Sequence, residues 1–230
     1  MTVESGTAGI PDPAQARRPR PLPLAHYHFP DAHTVPGDGP AAMGADFAPA
    51  TIVEAYRAGY FPWPQPEAEY LWFSPHPRAI IPLGGLHISR RLARTMRSGR
   101  FRVTIDAAFE RVILACTDRP EGTWITERIV EGYLQLHELG WAHSFETWTA
   151  DGHLAGGLYG LRVGGLFGAE SMFHYVTDAS KVAMAAMMAW AQATAISLID
   201  VQVLTDHTAR MGAIEIPRDD YLERLHRVVR

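Results

Sequence analysis

The sequence predicts an α+β fold, and three observations carry that expectation. Residues 196–208 alternate: Ile199, Val201 and Val203 fall on one face of a strand, Asp200 and Gln202 on the other. Residues 178–194 read as a helix that is apolar nearly all round, with Val182, Met184, Met187, Met188 and Trp190, the pattern of a helix buried against a sheet. The predicted order is strand, helix, helix, three strands, buried helix, strand, helix, which suits a mixed sheet with flanking helices.

Composition bounds the possibilities. With 230 residues, 47% of them hydrophobic, the chain can build one large domain with a small appendage. A net charge of −4 gives no bulk signal for nucleic acid. One cysteine excludes an intramolecular disulfide and suits a reducing compartment. No apolar run is long enough to span a bilayer.

Residues 1–40 are rich in Pro, Gly and Ala without an apolar period, and read as a flexible leader. Arg17 and Arg18 are followed by no hydrophobic region, so they do not form an export signal; His26, His28 and His33 read as solvated loop histidines. A small module is expected over 41–76. Asp46 is placed to cap a short helix with Ile52, Val53 and Tyr56 on its apolar stripe, ending at Gly59. Beyond it, prolines put Tyr60, Phe61, Trp63, Tyr70, Trp72 and Phe73 on loops, where they either plug a seam or offer faces to a ligand ring.

The remainder, 77–230, forms the main domain. Ser89 caps a helix closed by Gly99, on which Arg90, Arg94 and Arg97 recur as one basic stripe flanked by Arg91, Arg100 and Arg102. A charge run is most often a solvated face. Six arginines without an interrupting acid in a net acidic chain also suit a phosphate backbone. A strand over 101–105 leads to Asp106 as the cap of a helix carrying Phe109, Val112, Ile113 and Cys116, the thiol being a core group. Thr126 caps a further helix that stops at Gly140. Strands follow over 142–148, 154–161 and 165–173, then the buried helix capped by Asp178, and a last helix over 218–229.

Glu170 and Asp200 are acids within apolar strands, and with Gln202 they are costly unless they meet partners or do chemistry. The element order is like that of an N-acyltransferase. An acetyl-coenzyme A enzyme of that kind would open its buried helix with a glycine-containing pyrophosphate loop. Here the position reads His174 to Lys181 without glycine, which disfavours coenzyme A.

Seven motifs taken together resemble the leucyl/phenylalanyl-tRNA–protein transferases: AYRAGYFPW at 55–63, WFSPHPR at 72–78, HISR at 87–90, GTWI at 122–125, HELG at 137–140, GAESMF at 168–173 and DVQ at 200–202. The resemblance implies transfer of Leu or Phe, with Met a further candidate, from aminoacyl-tRNA to the N-terminal Arg or Lys of a protein in the bacterial N-degron pathway. It implies a cytoplasmic enzyme with no metal, no cofactor and no membrane contact, and an acetyltransferase-like (GNAT-like) second domain. By resemblance Asp200, Gln202 and Glu170 are catalytic and Trp63 and Trp124 seat the tRNA 3′ end. Leu158, Phe167, Met187 and Ile199 then line the aminoacyl side-chain pocket, and Arg90, Arg94 and Arg97 grip the tRNA backbone. The alternatives are a related transferase for other N-termini and a small-molecule N-acetyltransferase.

Overall fold

The computed structural model describes residues 12–37, 39–65, 70–120 and 122–229. Its frame is a seven-stranded mixed sheet in the order β10-β4-β9-β8-β7-β6-β5. These strands are β4 (Arg78–Ile81), β5 (Arg102–Ile105), β6 (Ala142–Trp148), β7 (Leu154–Val163), β8 (Leu166–His174), β9 (Leu198–Gln202) and β10 (Ile214–Ile216). Six neighbouring pairs meet along this order, and β8 with β9 is the parallel one. A parallel pair requires a crossover. Helix α5 (Ala179–Ala193) supplies it and lies against β5, β6, β7 and β8. Its apolar circumference has a use: Met184, Met187, Trp190 and Ala191 pack with Phe145, Phe167, Ile199 and Val201 in the core on that face.

The opposite face is covered by α1 (Pro49–Arg57), α3 (Phe109–Thr117), α4 (Glu127–Glu138) and α7 (Arg218–Val228). It forms a second core with Tyr56, Val112, Tyr133, Tyr159 and Leu222. Helices α2 (Arg90–Arg97) and α6 (Asp206–Arg210) are largely exposed, with Leu92 the one buried residue between them. The aromatic loops expected over 60–73 prove partly regular. Strands β1 (Pro40–Met43), β2 (Phe61–Pro62) and β3 (Leu71–Phe73) form a small sheet in the order β1-β3-β2, and Tyr60 and Trp72 are fully buried. Prolines at strand ends and edges permit this, because only interior ladder positions need the N–H that proline lacks.

Three expected helix caps are corrected. Asp46 accepts from Ala48 N, and Ala48 rather than Asp46 stands at the N-cap of α1, which has no side-chain cap. Asp106, in the left-handed region, accepts from Ser144 N and faces His143 at 2.8 Å. Glu146 instead accepts from the amides of Ala107 and Ala108, just ahead of α3, which has no side-chain cap. Asp178 also has positive φ and takes Arg91 rather than its own helix amides. Ser89 and Thr126 do cap α2 and α4.

Of the expected leader, residues 1–11 lie outside the described residues. Residues 12–37 run against the body as an extended strap. Arg20 donates to Leu139 O and Glu138 O, Trp141 Nε1 donates to Arg20 O, and Ala32 and Val35 are buried. Gly140 has φ +80°, and a Cβ there would stand 2.2 Å from Arg18 O, so this crossing needs glycine.

Candidate active site

The site begins where the sheet comes apart. Pairing between β8 and β9 runs Leu166–Leu198, Phe167–Ile199 and Gly168–Asp200, then stops, although both strands continue. Each is bulged beyond that point. Tyr159 pairs with Ser171 and Gly160 with Ala169, leaving Glu170 without an opposite residue. Ala79 pairs with Gln202 and Ile80 with Asp200, leaving out Val201. Bulges re-aim side chains and increase local twist. Two of them on adjacent strands open a cavity of about 450 Å³ lined from β8 by Glu170 and Met172 and from β9 by Val201 and Gln202. That volume is in the range of small-ligand sites.

Gln202 is held in an unusual conformation. Its φ is +61°, and Val203 N donates to Val201 O at 2.7 Å, so Gln202 is the centre of a γ-turn. Such turns are strained for non-glycine residues and persist where the surroundings over-determine them. Here the surroundings are a buried ion pair. Gln202 N donates to Asp200 Oδ1 at 2.9 Å. Arg78 grips both oxygens of Asp200, Nε to Oδ1 at 2.9 Å and Nη2 to Oδ2 at 2.6 Å, and Tyr221 OH donates to Oδ2 at 2.9 Å.

The Arg78 guanidinium lies between the rings of Phe61 and Tyr221, 4.7 and 4.4 Å from their centroids, and Nη1 donates to Gly59 O. Burial works against its charge, but the adjoining Asp200 carboxylate outweighs this and raises its pKa. Two charge-assisted bonds in fork geometry are the arrangement in which a buried pair survives desolvation.

Asp200 therefore does not reach the cavity. It is 0% exposed and sealed behind Arg78 and Tyr221, so it positions Gln202 through the backbone rather than meeting a ligand. Glu170 stands on the cavity wall. Tyr56 OH donates to Oε1, Gln202 Nε2 approaches the same oxygen at 3.4 Å, and Tyr133 lies beyond, 3.4 Å from Tyr56. Though the residue is partly exposed, its carboxyl is enclosed by these groups. Desolvation pushes its pKa up to about 8, against the hydrogen bond from Tyr56. Neither acid offers the cavity a bare negative charge: Asp200 is paired with Arg78, and burial holds the Glu170 carboxyl well above the usual carboxylate range.

Trp63 and Trp124 both line the cavity, half-buried. Trp63 packs on Phe61 and Phe73, with ring centroids 6.1 and 5.3 Å away. The apolar wall is made by Leu158, Met172, Met184, Val201, Val203 and Met211. Phe167, Met187 and Ile199, assigned to that wall by resemblance, lie one layer deeper. Phe167 packs on Phe145 and Trp190 in the core, and Met187 is fully buried, three residues beyond Met184 on α5. Arg90, Arg94 and Arg97 are exposed on α2 and do not line the cavity; α2 lies beside the start of α5. Cys116 is a core thiol that burial pushes up to about 12.

Residues that sequence reasoning passed over are Tyr56, Arg78, Tyr133 and Tyr221, which surround the two acids from behind, and Arg119, which lines the cavity. An acid 122 positions from its arginine leaves no local pattern. The one available signal was an arginine opening an apolar run, Arg78 before Ala79, Ile80 and Ile81.

Comparison with known proteins places this geometry. Two family models match end to end: the leucyl/phenylalanyl-tRNA protein transferase N-terminal domain over residues 45–76 and leucyl/phenylalanyl-tRNA protein transferase over residues 80–226. A leucyl/phenylalanyl-tRNA–protein transferase of Anaeromyxobacter dehalogenans is 48% identical over 87% of this chain and 88% of its own length. One from Shigella sonnei is 48% identical over 83% and 82%. The structure of L-PGS from Bacillus licheniformis overlaps 57% of this chain and 46% of that one, at 13% identity and a TM-score of 0.39.

By class the chain is an aminoacyltransferase, built on a mixed α+β fold with two sheets. More particularly, it belongs to the leucyl/phenylalanyl-tRNA protein transferase family.

Proposed function

We propose that this chain moves Leu or Phe from the 3′ end of aminoacyl-tRNA onto the α-amino group of proteins that begin with Arg or Lys, and that the cavity between β8 and β9 is where the two meet. One observation carries the reading: the parted strands bring Glu170, Gln202, two indoles and an apolar slot around a single space. The slot takes the donor's side chain among Leu158, Met184, Val201 and Met211. Burying a Leu or Phe side chain is worth about 1.5–3 kcal/mol, enough to disfavour polar aminoacyl groups. Three methionines in that wall adapt to either shape. Trp63 and Trp124 offer ring faces to the terminal base.

The chemistry needs little beyond placement, because an aminoacyl ester is already activated. The amine nitrogen bonds to the ester carbon, the bond from that carbon to the ribose oxygen breaks, and the ribose oxygen leaves as a hydroxyl. Attack requires the neutral amine, whose ordinary pKa is about 8. Glu170, near 8 itself, is matched to act in its ionised form, taking the proton that the nitrogen sheds as the new bond forms and passing it to the departing ribose oxygen. Gln202 lines the cavity, and with Nε2 directed to Glu170 its amide oxygen is left to accept from the incoming amine. The ion pair Arg78–Asp200 acts as a positioning pair, holding the γ-turn that presents that amide.

We also infer that the main sheet is acetyltransferase-like, supported by parallel strands that part at the site and a buried crossover helix between them. The functional test mixes radiolabelled leucyl-tRNA with peptides beginning Arg, Lys, Asp or Glu. Label is expected on the Arg and Lys peptides; label confined to Asp or Glu overturns the acceptor assignment.

A further inference from the structure

One wall of the cavity has no part in the chemistry above. Arg119, on the turn after α3, is anchored through Nε to Cys116 O and through Nη2 to Ser171 Oγ and Met172 O, both at 3.1 Å. Nη1 has no hydrogen bond among the described residues, and the side chain lines the cavity. His207, on α6, touches the sulfur of the same Met172, with Nε2 at 3.1 Å from Sδ. His174 follows Met172 by two residues on β8, hence on the same strand face, and lines the cavity as well. Three side chains that are or can become cationic therefore converge around Met172.

Lys181, the only lysine of the chain, stands in the first turn of α5 close enough to act on His207. Burial, then Lys181, His174, Arg210 and Arg119, hold the His207 imidazole below its ordinary pKa, the mark of a place crowded with like charge. The acid on the same short helix, Asp206, is turned outward to Arg210 at 3.8 Å. A guanidinium held at Nε and Nη2, with Nη1 unbonded among the described residues and Lys181 and two imidazoles nearby, is suited to a phosphate oxygen pair. Further outward, Lys181 lies three residues past Asp178, which binds Arg91 beside the α2 stripe.

We propose that Arg119, with His174, Lys181 and His207, binds the phosphodiester that joins the last two nucleotides of the donor RNA. The proposal rests on the reading of the cavity as the donor site. It divides recognition of the RNA end in two: the indoles take the terminal base, and this cationic rim takes the next phosphate inward. Met172 sits between the two functions, its side chain on the apolar wall and its carbonyl fixing Arg119.

The experiment compares two short donors, leucyl-adenosine and leucyl-cytidylyl-adenosine, which differ by the nucleotide that carries this phosphodiester. Wild-type protein is expected to prefer the dinucleotide donor in kcat/KM with an Arg-initiated peptide. In Arg119→Met that preference falls about tenfold, the value of a charge-assisted contact. Lys181→Met, at a partly exposed position, serves as the second variant and is expected to reduce the preference in the same direction, with an unchanged melting temperature. Equal loss on both donors overturns the proposal, since Arg119 would then serve the base or the fold. An unchanged preference in both variants overturns it too. If wild-type protein uses neither donor nor leucyl-tRNA, the donor-site reading itself fails, which is a separate result.

Discussion

Arg78→Met tests how the buried pair sustains the site. The substitution removes two charge-assisted bonds to Asp200, one bond to Gly59 O and two ring contacts, and leaves Asp200 charged in a space with no solvent access. Breaking one side of a buried pair costs about 3–5 kcal/mol. For a chain of this size each kcal/mol lowers Tm by about 2–4 °C, so the variant is expected to melt roughly 6–20 °C lower. Combined with Asp200→Leu, which removes the stranded charge, much of that loss is expected to return, giving a coupling energy of about 2–3 kcal/mol in a double-mutant cycle. Guanidinium unfolding followed by tryptophan fluorescence measures all four proteins. Transfer is expected to stay low in both variants, because the single one frees Asp200 from the fork that fixes it and the double one removes the acceptor of Gln202 N. A single-variant cost below about 1 kcal/mol, or strict additivity, refutes the reasoning.

Other outcomes follow from the same geometry. Glu170 resists ionisation in the folded protein up to about 8, against an ordinary value of 4.5, so its contribution to stability is complete below 4.5 and is lost as pH rises through 8. Glu170→Gln is therefore expected to gain stability over wild type at pH 9 relative to pH 5 while transfer falls; parallel stability curves would remove the case for a raised pKa. Trp63→Ala and Trp124→Ala are each expected to raise KM for the tRNA donor by about ten- to hundredfold, in line with roughly 1–3 kcal/mol per stacked base, and an unaltered KM would assign the indoles to packing alone. Replacing Arg90, Arg94 and Arg97 by Glu is expected to weaken tRNA binding and flatten its dependence on salt. A slope equal to wild type leaves the stripe as an ordinary solvated face.

The regular elements were readable because each carried its period in a long enough run. The alternation of 198–202, the apolar circumference of 179–193 and the glycine turns between β6, β7 and β8 all returned at nearly the expected bounds. Short elements were not readable. Strands β4 and β10, of four and three residues, are too brief for a period to show, and β4 is bounded by Pro77 and Pro82.

Asp46, Asp106 and Asp178 carry the composition of helix caps, but an aspartate two residues upstream, or one recruited by His143 or Arg91, has the same local sequence. Of the candidate site, Glu170, Gln202, Trp63, Trp124 and Leu158 are placed around one cavity. The withdrawal of Asp200 behind Arg78, and the two bulges that open the sheet, arise from contacts between distant segments. No local pattern could announce them.

The central claim is that the donor's side chain, its terminal base and the reacting carbonyl share the cavity between β8 and β9. A crystal structure with an amide-linked leucyl-adenosine, which cannot be hydrolysed, tests it most directly. The expected density places the leucyl side chain against Leu158, Met184 and Val201, the adenine on Trp63 or Trp124, and the carbonyl beside Gln202. The ligand bound elsewhere, with this cavity left open, would contradict the account.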